Sequence, residues 1–595
     1  MPELLTGNEA IARGAYEAGV SYASAYPGTP STEILETLAG YRDVVAEWAP
    51  NEKVALECAI GASTAGARAL AAMKMVGVNV AADPLFSFSY SGVNGGLVLV
   101  SADDPGQHSS QNEQDNRFYA PFAKIPMLEP SDSQEAKDMA AAAFEISETY
   151  DVPVLLRTTT RVCHSKSLVS LGTRRVPPHK PYVRNIPKFV LVPGNARLLR
   201  AKLAAKLSRL SEYSETTPLN FVEWNGPRIG IVTSGMGYQH AQEVFGNQAS
   251  YLKLGFTYPL PIAKIRQFAS RVDTLYVVEE LEPYLEDEIR RLGIACVGKD
   301  KIPGNFELDP TIVSAALKGA TAVQPDPVAV LPRPPLLCAG CPHRGFFVEL
   351  GKFARKHHAM LPGDIGCYAL GASPPLDALE TCICMGSAPS IAHGAQKMFA
   401  KFGETTRAIG VLGDSTFFHT GMNSVLNLAY NKSNAIICIL DNRITGMTGQ
   451  QEHPGTGMTL QGEATTEIDI ATVVRAFGLK NVRTINPNDL REVRETLKWA
   501  LSLEEPSVIV TKWPCRLKKL NASDAARYAH RFRHLAVRED RCNGCRNCLK
   551  IGCPAIVFDT AREKARVDAG TCVGCEVCAQ VCGSDAFVDG ELEDA

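Results

Sequence analysis

The sequence predicts a multidomain α/β chain that ends in a cysteine-rich module. Three observations carry this reading. Apolar runs of strand length alternate with helical patterns through most of the 595 residues, glycines punctuate the joins, and eight of the eighteen cysteines lie from Cys542 onward. At about 100–200 residues per domain, the length suits three to five domains, several large enough to bury a full core. With 45% apolar and 21% charged residues, the chain is too apolar for bulk disorder. A net charge of −3, with no basic run interleaved with aromatics, lacks the electrostatic footprint of nucleic-acid binding. The first residues show no basic segment followed by an apolar run. The longest uncharged span, residues 84–102, is broken by Pro84, Gly92, Gly95 and Gly96. Neither a secretory signal nor a membrane helix is therefore expected, and the location expected is cytoplasmic. Cysteines in that setting point to metal or cluster ligation rather than to disulfides.

The elements follow in order. Residues 1–175 alternate helical patterns such as ECAIGASTAGARALAAMKM with apolar runs such as GGLVLV and VPVLL, an α/β unit. Residues 176–225 are rich in Pro, Lys and Arg and read as a linker with one helix, ARLLRAKLAAKLSRL. A second α/β unit, 226–325, has strands in RIGIVTSG and TLYVVEE and helices near QHAQEVFG and AKIRQFASRV. Residues 326–335 are proline-rich and suit an extended connector. A third α/β unit spans 336–520, and the cysteine module spans 531–595.

In that module Cys542, Cys545 and Cys548 form CNGCRNC, followed by Cys553; Cys572, Cys575 and Cys578 form CVGCEVC, followed by Cys582. This is the two-cluster bacterial ferredoxin pattern, in which three cysteines of each run hold one [4Fe-4S] cluster and the fourth crosses to the other. The expected ligand sets are Cys542, Cys545, Cys548 and Cys582, and Cys572, Cys575, Cys578 and Cys553. Gly544 and Gly574 relieve crowding in the tight turns. Four residues instead of three separate Cys548 from Cys553, and Gly583 stands where proline is usual. A pair of zinc ribbons is the competing reading, although zinc sites favour paired doublets over triplets with a remote fourth.

Within RAIGVLGDSTFFHTGMNSVLNLAYNKSNAIICILDNRITG, one apolar strand ends at Gly413-Asp414, a helix follows, and a second strand ends at Asp441-Asn442. That order brings a carboxylate and an amide oxygen to the carboxyl edge of a parallel sheet, where α/β ligands bind. Hard oxygen donors suit Mg²⁺. An ordinary βαβ unit with turn-forming Asp and Asn reads equally well from these residues alone.

The same stretch resembles the thiamine diphosphate signature, with Ser415 in place of its last glycine and Asp441-Asn442 in place of an Asn pair. Together with YPGTPSTEI, GASTAGARAL, SADDPGQHSSQNEQDNRFYAPFAKIPMLEPSD, LCAGCPHR, GDIGCYALG, TCICMGSAP, GDSTFFHTGM and QEHPGTG, it makes the chain similar to the indolepyruvate:ferredoxin oxidoreductase alpha-subunit family. The resemblance extends over essentially the whole chain; QEHPGTG departs from a usual QPHPGTG. It implies a pyrimidine-binding domain at 1–175, a transketolase C-terminal-like domain at 226–325, a pyrophosphate-binding domain at 336–520 and a two-cluster ferredoxin domain at 531–595. It implies doubly wound thiamine diphosphate-binding domains. Asp414 and Asn442 become magnesium ligands with the carbonyl of Ile444, and Gly413, Gly366 and Cys367 line the cofactor. A helix beginning near Gly421 offers its N-terminus to the diphosphate.

By the same resemblance Glu52 holds the pyrimidine ring. Glu57 is its rival, and a solvated helix carboxylate is the plain alternative for either. Thr29 and Arg117 would bind the 2-oxoacid; a turn threonine and a surface ion pair are the alternatives. Cys338, Cys341, Cys367 and Cys515 match the ligands of a third, thiamine-proximal [4Fe-4S] cluster. Buried core cysteines and a zinc site with His343 compete with that reading, and Cys382 and Cys384 are alternative donors. The implied reaction is oxidative decarboxylation of an aryl 2-oxoacid, such as indolepyruvate, with coenzyme A, giving an aryl-acetyl-CoA, CO₂ and reduced ferredoxin. A separate beta subunit with a gamma-type domain is expected, in an alpha2beta2 assembly. A non-catalytic electron-transfer subunit and a non-oxidative thiamine decarboxylase are the rival functions.

Overall fold

The computed structural model describes residues 2–178, 180–319, 334–528 and 533–590. It divides into two compact units: residues 1–329 with 460–462, and the remainder of the chain.

The first unit is built on a seven-stranded sheet. Its order is Phe256–Tyr258, Met127–Leu128, Val154–Thr159, Leu97–Asp103, Ala69–Lys74, Tyr22–Ala25, Val45–Trp48. All neighbours are parallel except the first pair. Ala69–Lys74, Leu97–Asp103 and Val154–Thr159 are buried along their whole length, which is why the last two read as continuous apolar runs without alternation. The helical pattern expected over ECAIGASTAGARALAAMKM is corrected: the helix is Glu52–Thr64, and the alanine-rich Ala69–Lys74 is a strand, its helix propensity overridden by burial inside the sheet. Helices Gly7–Glu17 and Ser133–Tyr150 cover one face, and Gly14 lets them meet: a Cβ there would lie 2.0 Å from the Lys137 carbonyl oxygen.

A four-stranded sheet follows, ordered Thr274–Val278, Ile229–Thr233, Ser250–Leu254, Asn220–Glu223, with the last strand antiparallel. Asn220–Glu223 falls inside the stretch expected as linker, so the 176–225 assignment is corrected: its end belongs to this sheet. Four residues beside a polar, proline-rich run carry too little pattern to stand out. The side chain of Asn220 ties the strand down, donating to Ser214 O and Phe256 O and accepting from the N–H groups of Gly255 and Phe256. The helix upstream runs Pro193–Thr216, with proline at its first position.

The second unit contains a fully parallel six-stranded sheet, ordered Thr381–Cys382, Pro362–Gly363, Ile409–Gly413, Ile436–Asp441, Ser507–Lys512, Asn481–Ile485. The cysteine module adds two antiparallel ribbons, Leu535–Val537 with Phe587–Asp589 and Ile556–Asp559 with Lys564–Val567. Its Ile551, Ile556 and Val577 share one apolar cluster with Phe346, Leu376 and Leu490 of the α/β part. The expected connector at 326–335 lies outside the described residues except for its last two positions. Among the described residues, no helix is long and apolar enough to cross a membrane.

Candidate active site

Four adjacent parallel strands of the six-stranded sheet deliver their exits to one carboxyl edge. Pro362–Gly363 leads to Asp364 and Cys367, Ile409–Gly413 to Asp414, Ile436–Asp441 to Asn442, and Ser507–Lys512 to Cys515. Backbone bonds zip the last two exits together, with the Trp513 N–H donating to Asp441 O at 3.0 Å and the Cys515 N–H to Asn442 O at 2.8 Å.

Asp414 is buried, and its carboxylate accepts from the Ser415 N–H at 2.8 Å and lies 3.0 Å from His453 Nε2. Burial opposes its ionisation, yet the charge and hydrogen bond of His453 hold the carboxyl below the usual range. Neighbouring Asp441 goes the other way: burial, then the charge of Asp414, push it up to about 7. Asn442 accepts from the Ile444 N–H at 3.2 Å, and its amide nitrogen faces His343 Nε2 at 3.4 Å. Burial pulls His343 down to about 4, so its ring is neutral and can accept that amide proton. Ser415 and Thr445 hydroxyls meet at 2.8 Å. The Asp414 carboxylate, the Asn442 amide and the Ser415 and Thr445 hydroxyls at one sheet edge are donor chemistry of the kind that Mg²⁺ and a diphosphate require.

The local backbone corrects one expectation. The helix begins at Asp414, directly after the strand, and passes through a π-helical turn at Phe417–Gly421 into Met422–Asn431. Gly421 therefore does not start it. A Cβ at Gly421 would sit 2.6 Å from a Leu412 methyl, so this glycine serves packing inside the π turn. Gly366 and Gly413 both lie under the Tyr368 ring, 2.2 and 2.6 Å from where a Cβ would be.

Cys338 and Cys341 precede helix Pro342–His357. Cys341 senses Cys515 and Cys367 electrostatically, Cys367 senses Cys515 and Cys338, and Cys515 senses Cys338. The four thiols thus form one neighbourhood, and both Cys367 and Cys515 feel the charge of Asp414. Burial pushes Cys341 up to about 12 and Cys367 to about 11. Cys382 instead points at the Asp364 carbonyl, 3.6 Å away, and Cys384 is exposed. Among the described residues, no three His, Cys, Asp or Glu side chains converge on a single metal-ion position. A cubane places each thiolate on a different iron, which asks for a wider group. In the C-terminal module Cys548 senses Cys542, Cys545 and Cys582, whereas Cys578 senses Cys575, Cys553 and Cys572. The two groups interleave along the chain.

In the first unit, Glu52 opens helix Glu52–Thr64 and is 5% exposed. Gly77 makes room for it, since a Cβ there would fall 2.7 Å from the Glu52 carboxylate. Glu57 is exposed and paired with Lys53. Thr29 is half-buried in the loop after Tyr22–Ala25. Beside this loop stands Lys74, which sequence reasoning misses because the residues around it read as a helical pattern, whereas they form the strand Ala69–Lys74. A Cβ on Gly28 would meet its side chain at 3.0 Å, and its ammonium donates to Ser109 O at 2.7 Å. Burial pulls this amine down to about 8, against the opposing charge of Asp104.

Arg117 is not at the surface. It is 1% exposed; Nε donates to Asp115 at 2.8 Å, Nη1 to Glu279, and Nη2 to the Glu280 and Glu282 carbonyls at 2.7 and 2.9 Å. With its fork engaged, Arg117 here staples the 115–117 loop to the segment at 279–282. Arg117→Ala is expected to cost about 3–5 kcal/mol of stability, because it strands two buried carboxylates. Chemical denaturation measures this, and a loss under about 1 kcal/mol would refute the staple.

Comparison with known proteins agrees with this layout. Residues 13–183 match the family described as pyruvate flavodoxin/ferredoxin oxidoreductase, thiamine diphosphate-binding. Residues 364–511 match the thiamine pyrophosphate enzyme C-terminal binding domain, and 534–583 a 4Fe-4S dicluster domain. Indolepyruvate oxidoreductase subunit IorA of Archaeoglobus fulgidus is 40% identical over 615 residues, covering 98% of this chain and 97% of its own. The IorA subunit of Pyrococcus horikoshii is 40% identical over 638 residues, covering 99% and 97%. A solved 2-oxoglutarate:ferredoxin oxidoreductase from Magnetococcus marinus is 19% identical, covers 53% of this chain and 65% of its own, and superposes with a TM-score of 0.45, too low to add to the sequence relationship. With thiamine-binding domains, a dicluster domain and full-length relatives at this identity, the chain belongs to the indolepyruvate oxidoreductase IorA family of thiamine diphosphate-dependent, iron–sulfur 2-oxoacid oxidoreductases.

Proposed function

We propose that the chain, with a separate beta subunit in an alpha2beta2 assembly, carries out oxidative decarboxylation of aryl pyruvates such as indolepyruvate. Coenzyme A takes the acyl group, CO₂ leaves, and ferredoxin takes two electrons. The observation that supports this reading is the shared carboxyl edge of the six-stranded sheet, where adjacent strand exits bring Cys367, Asp414, Asn442 and Cys515 together: the Cys515 N–H donates to Asn442 O at 2.8 Å, and a Cβ on Gly446 would lie 3.5 Å from Cys367 Sγ and 3.6 Å from Asn442 Nδ2.

Thiamine diphosphate supplies the carbon nucleophile and electron sink when bound. Asp414, Asn442 and the Ile444 carbonyl hold its magnesium. Glu52 holds a proton at the pyrimidine ring, a role supported by its burial against Gly77. Thr29 contacts the 2-oxoacid, and the adjacent Lys74 ammonium supplies a positive charge for its carboxylate. Arg117 is the second group proposed for the 2-oxoacid, its guanidinium held by Asp115 and Glu279. Cys338, Cys341, Cys367 and Cys515 would hold a third [4Fe-4S] cluster, which would supply one-electron redox chemistry at this edge.

The reading is tested by viologen or ferredoxin reduction with the chain plus its beta partner, over a panel of 2-oxoacids with coenzyme A. Aryl pyruvates are expected to give the highest kcat/KM; aldehyde release without acceptor reduction would overturn it. Anaerobic iron and sulfide analysis of the purified chain is expected to give about twelve irons, from three four-iron cubanes. A fully reconstituted sample that stops at about eight irons removes the third cluster from the scheme.

A further inference from the structure

Arg344 is a buried cation without an anion. It lies three residues after Cys341 on the first turn of helix Pro342–His357 and is 2% exposed. Its Nη1 donates to the carbonyls of Ile551 and Gly552 at 2.8 and 2.6 Å, and its Nη2 to those of Leu337 and Cys338, the latter at 3.2 Å. Its Nε is buried with no partner. The other buried arginines, Arg68, Arg117, Arg157 and Arg443, each pair with at least one carboxylate. Arg344 has no carboxylate partner among the described residues. Carbonyl dipoles alone do not neutralise a full charge held out of water, so such a group calls for an anion that side chains do not supply.

Its position says which anion. Gly552 directly precedes Cys553, and Leu337-Cys338 begin the CxxC turn, so one guanidinium fastens the backbone of two thiol groups. The turns also touch: a Cβ on Gly340 would lie 2.0 Å from a Val573 methyl, next to Cys572. A [4Fe-4S] cube with four thiolates carries net negative charge in either redox state.

We propose that Arg344 is a shared counter-cation between two clusters, the one on Cys338, Cys341, Cys367 and Cys515 and the one on Cys553, Cys572, Cys575 and Cys578. This rests on the third cluster proposed above. When the first cluster is oxidised by one electron and the second reduced by it, no bond changes and the guanidinium faces the extra charge in both states. It therefore favours reduction of both clusters without trapping the electron on either. Arginine suits the position because only its fork reaches four carbonyls while keeping Nε for a cluster sulfur. Arg344 is a positioning residue and contacts no substrate in this scheme.

The test uses the full chain with its beta partner under anaerobic conditions. Iron content and EPR-monitored redox titrations are compared for wild type, Arg344→Gln and Arg344→Lys. In Arg344→Gln with about twelve irons retained, both clusters are expected to titrate at lower potential, each by about 59 mV or more, a tenfold fall in the reduced-to-oxidised ratio. Full iron with both potentials unmoved overturns the proposal. If the Gln variant loses iron, Arg344→Lys decides: potentials near wild type support the charge role, and potentials displaced tenfold or more at full iron overturn it. A wild type with about eight irons refutes the third cluster itself, and with it the sharing, an outcome visible in the iron count before any variant is made.

Discussion

Asp414→Ala is expected to strip the protein of thiamine diphosphate while leaving its C-terminal clusters in place. The carboxylate is buried and held ionised, and His453 faces it at 3.0 Å. Alanine removes the charged magnesium ligand and leaves the His453 ring without its acceptor. Losing one member of a buried, charge-assisted contact typically costs about 2–5 kcal/mol, so cofactor affinity should fall roughly 30- to 4000-fold. Titration calorimetry with thiamine diphosphate and Mg²⁺ measures the loss, and iron analysis of the same sample checks that the clusters remain. Wild-type affinity in the variant would remove Asp414 from the metal site.

Glu52→Gln should act on turnover and not on cofactor content. Glutamine has the same shape, so it fits the space that Gly77 leaves, and the helix start at Asn51 is untouched. What changes is the ability to hold and release a proton at the pyrimidine ring. Positioned acid–base groups are worth about 10²–10⁴ in rate, so acceptor reduction should slow by that factor with cofactor bound at wild-type stoichiometry. Deuterium exchange at the cofactor's acidic carbon, followed by quenched NMR, isolates the step. Unchanged exchange would pass the role to Glu57, an exposed partner of Lys53 that the fold gives no cavity.

How far these sites are readable from sequence depends on whether spacing along the chain is itself the chemical constraint. The cysteine triplets are legible because short turns around one cube dictate their intervals. Asp414 and Asn442 are legible because parallel strands end in register, Gly413 beside Leu440. Contacts made across the fold leave no such trace. His453 reaches Asp414 from 39 residues away, and Arg117 finds Glu279 from 162 away. Nothing in QDNRFY itself marks its arginine as enclosed. Lys74 closes a strand whose alanines read as helix, and the ammonium is noticed only once the Ser109 carbonyl is beside it. The helix start reads too late in the sequence, at Gly421 instead of Asp414, because a glycine inside a π turn resembles a glycine at a terminus.

The shared apolar cluster of the second unit bears on how such a protein can be taken apart. Ferredoxin modules are commonly pictured as detachable beads. Here Leu535, Ile551, Ile556 and Val577 complete a surface begun by Phe346, Leu376 and Leu490. Cutting the chain ahead of residue 533 would leave that surface wet, and the shortened chain is expected to aggregate instead of yielding a soluble enzyme without the C-terminal clusters. The same dependence runs from inorganic chemistry to solubility. Cys548 and Cys578 are both buried members of this cluster, so oxygen damage that expels iron would loosen the packing around them, and loss of electron transfer and loss of the folded protein would arrive together.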